Sequence, residues 1–282
     1  MAAPPTVIEQ PIPTPQKPGS PVIAFENVSL AFENKTVLDG ISFQLPAGES
    51  KAIFGVAGSG KSTLLKLAMG LIKPDSGSIY VLGNDVTQMS EEELFELRRK
   101  VGMVFQESAL FDSMTVRENV AFRLMEEHSI PEEEIEKRVR EALSFVELEH
   151  TVDLFPSELS GGMRRRVAIA RATVTRPEIL LYDSPTGGLD PVTSTTIIEL
   201  IVKQRDVYKT SSLMVTHRLQ DAFTMATHYF DRKTNHMERM PQGMQCELPM
   251  NFLILRDSKV IFDGSLLDLQ ETKDEYIREY IS

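Results

Sequence analysis

The chain has 282 residues, 41% hydrophobic and 25% charged, which matches soluble globular proteins and excludes collagen-like, coiled-coil and wholly disordered classes. At about 150 residues per domain, it holds one large domain or two small ones. Lys plus Arg number 30 against 41 Asp plus Glu, a net charge of −11, and a surface of that sign repels a phosphodiester backbone, so no nucleic-acid partner is expected. Cys246 is the single cysteine; it can form neither an intrachain disulfide nor a cysteine metal cluster, which fits a reducing compartment. No run reaches about 18 apolar residues, and no basic-then-apolar leader opens the chain, so neither secretion nor membrane embedding is expected.

Seven of the 16 prolines (Pro4, Pro5, Pro11, Pro13, Pro15, Pro18, Pro21) fall within residues 1–21, a density that predicts an extended, solvated tail. From Val22 to Phe32, at Thr36–Leu38 and at Ile41–Leu45, short β-branched and aromatic runs separated by turn residues predict antiparallel strands. Glu49–Phe54 predicts a strand, a glycine-rich loop follows, and Ser62–Met69 is apolar at helical spacing. Residues 90–100 and 131–147 read as charged helices, the first with Ser90 and Glu93 spaced as a capping box and the second with Pro131 in its first turn. Glu178–Asp183 and Ser211–His217 are apolar runs too short for isolated helices; each follows a helical segment, as buried parallel strands do in βαβ units. The parts assemble into an α/β core with a helical insertion, and no internal repeat is evident.

The loop Gly55-Val56-Ala57-Gly58-Ser59-Gly60-Lys61-Ser62, with Thr63 behind it, fits the phosphate-binding pattern G-x4-G-K-[ST] at a strand-to-helix junction, where backbone N–H groups and the helix start can cradle phosphates. This context disfavours a merely flexible turn. Such a loop directs Lys61 to the β- and γ-phosphates and the Ser62 hydroxyl to Mg²⁺. Asp183, at the end of an apolar run, supplies a carboxylate for the same ion. A second anion site is predicted where Ser160, Gly161 and Gly162 open the basic amphipathic helix Met163–Ala172.

With Ser160-Gly161-Gly162 standing between the two nucleotide motifs, the chain resembles the ATP-binding subunit of ABC transporters over about residues 22–268. The resemblance implies a P-loop (RecA-like) α/β fold with an antiparallel β subdomain and an inserted helical subdomain at about 106–164. It places one ATP-binding domain over 22–264, with an insertion at about 231–250 and a C-terminal helix or tail over 265–282. ATP and Mg²⁺ are the implied cofactors. A second ATP-binding subunit is the implied partner, identical or different, because the signature at Ser160–Gly162 closes on the ATP held by the other protomer. Gln106 matches the loop linking Mg²⁺ and the attacking water to the membrane partner. Asp190 matches the dimer-contact loop and His217 the switch histidine at the γ-phosphate. Phe32, 29 residues before Lys61, matches the aromatic that stacks on adenine, with Phe25 as the alternative; either also suits a core.

One position departs from the family. Ser184 follows Asp183 where a glutamate usually polarises water, and a serine is no general base at neutral pH without an activating neighbour. Slow hydrolysis, a substitute such as His217, a mixed dimer whose partner brings a glutamate, and a chain engineered to trap ATP all remain open. The segment Gly102–Leu124, with Ala109-Leu110-Phe111 and Glu118-Asn119-Val120-Ala121, and Met163 in the signature are similar to the MCE-associated lipid-transport ATPases of the Mla type. That likeness implies integral membrane permease subunits, an MCE-domain protein, phospholipid or other hydrophobic cargo, and a peripheral site on the cytoplasmic face of a bacterial inner membrane. An ATPase for a polar solute and an ATP-gated module with little turnover are the rivals; a soluble DNA-repair or translation protein would bring tandem cassettes or a basic surface. The methionine-containing stretch 231–250 is a partner surface or an ordinary loop, and its spacing with His228, His236 and Cys246 does not make a metal site. The acidic, aromatic segment 265–282 caps the domain, touches a second protomer or is a solvated tail.

Overall fold

The computed structural model describes residues 20–33, 35–127, 129–241 and 248–281; the tail assigned to 1–21 lies outside them except for its last two residues, and so do His128 and Cys246. The first strands, β1 (Pro21–Phe32) and β2 (Lys35–Pro46), pair antiparallel with Phe25 opposite Phe43 and Leu30 opposite Leu38. The two runs read separately at 36–38 and 41–45 are one strand, bent at Gly40, whose φ of 62° admits the turn without a break. Then come β3 (Ser50–Gly55), α1 (Lys61–Ala68), β4 (Ser76–Val81), β5 (Asn84–Asp85), α2 (Glu91–Arg99) and β6 (Val101–Val104). The mid-chain helices are α3 (Val116–Met125), α4 (Glu132–Phe145) and α5 (Gly161–Thr173). The second half alternates β7 (Ile179–Asp183), α6 (Pro191–Tyr208), β8 (Ser211–Val215) and α7 (Leu219–Thr227), then β9 (His228–Asp231) and β10 (His236–Arg239). It closes with β11 (Met250–Arg256), β12 (Lys259–Ser265), α8 (Leu266–Glu271) and α9 (Glu275–Ile281).

Six strands in the order β12-β11-β3-β8-β7-β6 make the central sheet, parallel throughout except for the antiparallel edge strand β12. A second, antiparallel sheet runs β2-β1-β4-β5. Alternate residues of each central strand feed opposite cores: Ala52, Phe54, Leu180 and Tyr182 face α3 to α9, whereas Ile53, Ile179 and Leu181 face α1, α2 and the second sheet. Burial on both faces explains why β3, β7 and β8 read as continuous apolar runs.

Local chemistry holds at several ends. Ser90 and Glu93 form the expected capping box on α2. Pro131 is the N-cap of α4, not a first-turn residue, because its extended ψ lies just outside the helix. Strand β8 ends at Val215, so His217 lies two residues beyond it. The stretch 231–250 is not a plain surface loop: His228–Asp231 and His236–Arg239 form an antiparallel hairpin held to α6 by Met237 N–H donating to Glu199 (3.0 Å). The rest of it, 242–247, lies outside the described residues. The C-terminal segment is not a solvated tail through Ile281, since Leu269 of α8 and Ile277 of α9 are buried in the same chain's core.

Candidate functional site

Open parallel sheets gather ligand-binding groups at the carboxyl ends of their strands, where the connections leave a crevice. Here β3 ends at Gly55, β7 at Asp183 beside Val215 of β8, and β6 runs out through Phe105 to Gln106. The sheet thus brings the loop 55–63, Asp183, Ser184, Gln106 and His217 to one edge. The Ser62 hydroxyl donates to the Asp183 carboxylate at 2.9 Å, joining residues 121 positions apart. A hydroxyl and a carboxylate adjacent at a phosphate-loop helix start fit a hydrated Mg²⁺ bound beside a nucleotide. Among the described residues, no cluster of three or more His, Cys, Asp or Glu forms a metal-only cage.

Helix α1 begins without a side-chain cap, on Gly60 at φ 90°. A Cβ there would strike Leu38 at 2.8 Å, so only glycine fits this approach of loop to strand. The first-turn N–H groups are therefore left for an anion. Lys61 Nζ donates back to the carbonyls of Gly55 (2.7 Å) and Val56 (2.8 Å). Its burial pulls the ammonium below its ordinary pKa, opposed by Asp183. Val56, Ala57 and Gly58 are exposed while Ser59 is buried. The phenol of Tyr280 on α9 meets the backbone of Gly55, and burial raises it against that hydrogen bond. Phe32, at the exposed tip of β1, is 48% accessible, whereas Phe25 is 1% accessible and stacks on Phe43 at 4.6 Å; Phe25 is core.

A second group forms at the start of α5. Ser160 caps its own helix by accepting from Met163 N–H (3.2 Å). Gly162 lies so close to α6 that a Cβ would be 2.5 Å from Thr193. Asp190 caps α6, accepting from Val192 and Thr193 N–H at 3.0 Å each and from the Thr193 hydroxyl; these donors lower its carboxyl. Asp190 and Gly162 are thus neighbours through Thr193.

The loop carrying Gln106 is fixed by residues whose roles single-residue reading did not reveal. Arg171 donates to the carbonyls of Ser108 (2.9 Å) and Ala109 (2.8 Å), both at left-handed φ. Fully buried Asn119 accepts from Phe111 N–H and donates to the carbonyls of Phe111, Met114 and Thr115. That accounting explains Asn119 physically: a buried amide satisfied at every position replaces a turn's missing backbone bonds. Arg165, 5% accessible, donates to the carbonyls of Phe105 (3.1 Å), Ser184 (3.4 Å) and Gly187 (3.3 Å).

Ser184 is buried at φ 47°, a conformation that costs a non-glycine residue about 1 kcal/mol. Its N–H donates to Val215 at 2.8 Å and its carbonyl accepts from Gly187 at 2.9 Å. Two residues on, the buried Thr186 hydroxyl donates to the buried Asp221 carboxylate. Burial pushes Asp221 up, opposed by that hydrogen bond and by Arg218 and His217. His217 itself is exposed at the edge. The sequence shows an acid four residues after His217, but nothing in it singles out Asp221, because its partner Thr186 is brought to it only in three dimensions.

The ABC transporter family pattern matches residues 38–187. The chain is 35% identical over 268 residues to the chloroplastic protein trigalactosyldiacylglycerol 3 of Arabidopsis thaliana, covering 92% of this chain and 73% of that one. It is 33% identical to the intermembrane phospholipid transport ATP-binding protein MlaF of Escherichia coli, covering 92% and 88%. It is also 40% identical to the methionine import ATP-binding protein MetN 2 of Bacillus cereus, covering 93% and 73%. A dimeric, post-hydrolysis structure of the cassette MJ0796 bound to ADP and Pi superposes with a TM-score of 0.72 at 30% identity, covering 86% of this chain and 98% of that one.

Proposed function

This chain belongs to the ABC transporter family, as an ATP-binding subunit with ATP and Mg²⁺ as cofactors, and we propose that it hydrolyses ATP to drive lipid movement between membranes. The observation that carries the ATP reading is the 2.9 Å contact of Ser62 with Asp183 beside an uncapped α1 start. In this reading Gly55–Thr63 cradles the phosphates, Ser62, Asp183 and Gln106 hold the magnesium, and Phe32 stacks on the adenine. His217 senses the γ-phosphate, and Ser160, Gly161, Gly162 and Asp190 complete the site of a second subunit. Bound Mg²⁺ would neutralise phosphate charge there; the chain's residues position the nucleotide and exclude water around it. Ser184 offers no base, so turnover depends on His217, on a partner's carboxylate, or stays slow.

No helix among the described residues is long and apolar enough to cross a membrane, and ABC cassettes work as dimers with permease subunits. An exposed groove of about 400 Å³ lined by Phe95, Met114, Phe122 and Met125 with Glu118 and Glu126 among them, beside the loop that Asn119 and Arg171 hold, suits a permease element that brings apolar side chains and a basic group. Phospholipid or another hydrophobic cargo, an MCE-domain partner and the cytoplasmic face of an inner membrane are supported by the likeness to MlaF and by the Gly102–Leu124 segment. The likeness to MetN 2 favours the second reading, a polar-solute importer. Purifying the tagged chain with its membrane partners separates them: co-purified phospholipid with an MCE-domain subunit is expected, and a periplasmic-type solute receptor without lipid would overturn the lipid reading. In the same complex, Ser184→Glu is expected to raise phosphate release, by up to about 10²-fold where the base is limiting. An unchanged rate in a dimer of identical chains would show that position 184 does not limit hydrolysis.

A further inference from the structure

Arg165 sits on α5 five residues after Ser160, about 7–8 Å along the helix axis. Its guanidinium is buried, and its three hydrogen bonds end on two loops, the one that follows β6 and the one that joins β7 to α6. The first accepts through Phe105, the residue before Gln106; the second through Ser184 itself and through Gly187, which leads to Asp190. The β7–α6 loop is closed on itself by Gly187 N–H donating to the Ser184 carbonyl at 2.9 Å, and the two loops meet where a Cβ on Gly187 would lie 3.6 Å from Gln106 Cγ. There is little slack between them. Arg165 Nε has no acceptor among the described residues, so the fork holds a spare donor able to take a new carbonyl if the loops shift.

We propose that Arg165 is the positioning residue coupling the two ATP sites of the assembled dimer. The proposal rests on the ATP-hydrolysing dimer argued above. The N-terminus of α5 serves the partner's nucleotide, while Arg165 on the same rigid helix grips the loops around this chain's own reacting edge. A planar guanidinium transmits displacement because its donors cannot move independently, and a lysine's point charge cannot bind three carbonyls in fixed directions. Seating of α5 on the partner's ATP therefore moves Gln106, Ser184 and Asp190 together, and by linkage the reverse holds for binding. None of Arg165's hydrogen bonds reaches residues 55–63, so the phosphate-loop contacts, which carry most of the nucleotide affinity of the isolated chain, do not depend on it.

The test compares wild type with Arg165→Lys and Arg165→Gln in the full chain. It measures affinity for a fluorescent ATP analogue, ATP-driven dimer formation by light scattering, and phosphate release in the membrane complex. Expected are an unchanged nucleotide affinity within twofold, at least a tenfold rise in the ATP needed for dimer formation, and at least a tenfold loss of turnover in both variants. Dimer formation and turnover within twofold of wild type would overturn the proposal. So would a loss of nucleotide affinity parallel to the loss of turnover, which marks a merely structural arginine. Should Arg165→Gln fail to fold, Arg165→Lys decides, because it keeps the charge and loses only the fork. A wild type that dimerises with ATP but releases no phosphate sinks the turnover reading and leaves Arg165 judged on dimer formation alone. A wild type that neither binds ATP nor dimerises sinks both.

Discussion

The starts of α1 and α5 look alike in sequence, glycine-rich turns opening helices, yet they spend their backbone donors differently. At α1 the cap residue is Gly60 and no side chain caps the helix; at α5 the Ser160 hydroxyl occupies Met163 N–H. An uncapped first turn is already organised for an anion. A self-capped one is stable alone and yields its donor only when something displaces the serine. In the proposed reading the first start serves the nucleotide held by this chain, and the second serves the nucleotide of a partner subunit. The Ser62–Asp183 contact belongs to the first, and the Gly162–Thr193–Asp190 cluster to the second.

The largest effect is expected at Lys61. Lys61→Ala removes the cation over the Gly55 and Val56 carbonyls and is expected to lower ATP turnover by about 10²- to 10³-fold, as for other single charge-stabilising donors. Phosphate release within tenfold of wild type would mean that the α1 start is not the reacting site. Gly162→Val attacks the other start. Its Cβ would fall 2.5 Å from the Thr193 methyl, so the Thr193 side chain or α6 must shift, at a cost of about 1–3 kcal/mol in a urea melt. Turnover in the complex should fall while nucleotide affinity of the isolated chain holds; a matching loss of affinity would erase the distinction between the two starts.

The smallest effect is a pH slope set by Asp221. Because burial raises its folded pKa above the ordinary 3.8, the folded chain holds that proton more tightly than the unfolded chain. Its contribution is full below the ordinary aspartate range and declines as pH rises through the folded value. Asp221→Asn keeps an acceptor for Thr186 and removes the titration. Melting temperature should then fall less than in wild type as pH rises from about 4, and an identical slope would show that Asp221 is not the group responsible.

The α/β class, the strand-loop-helix around Lys61, the Ser90 capping box and the apolar runs of β7 and β8 were legible in sequence, because each is written in residues close along the chain. Strands β4 and β6 and helix α3 were not: β6 has four residues, too few for a period, and takes its identity from pairing with β7. The hairpin β9–β10 was hidden for the same reason, its strands having four residues each. At the site, the motif residues could be named, and so could the departure at Ser184. Arg165, Arg171 and Asp221 could not, since their partners are backbone carbonyls or a threonine at distances in sequence that no spacing rule reaches.

By itself, the sequence determined the phosphate loop, the order of the motifs and the chemistry each side chain could offer, because pattern and residue type are local properties. Only the tertiary structure decided that Phe25 is core while Phe32 is exposed, that the C-terminal segment packs as two helices on its own domain, and that Ser62 meets Asp183. It alone brought the carbonyls of Phe105, Ser184 and Gly187 to one buried guanidinium. Those outcomes depend on which faces of the sheet are covered and which loops converge at its edge, and burial and convergence are properties of the packed chain.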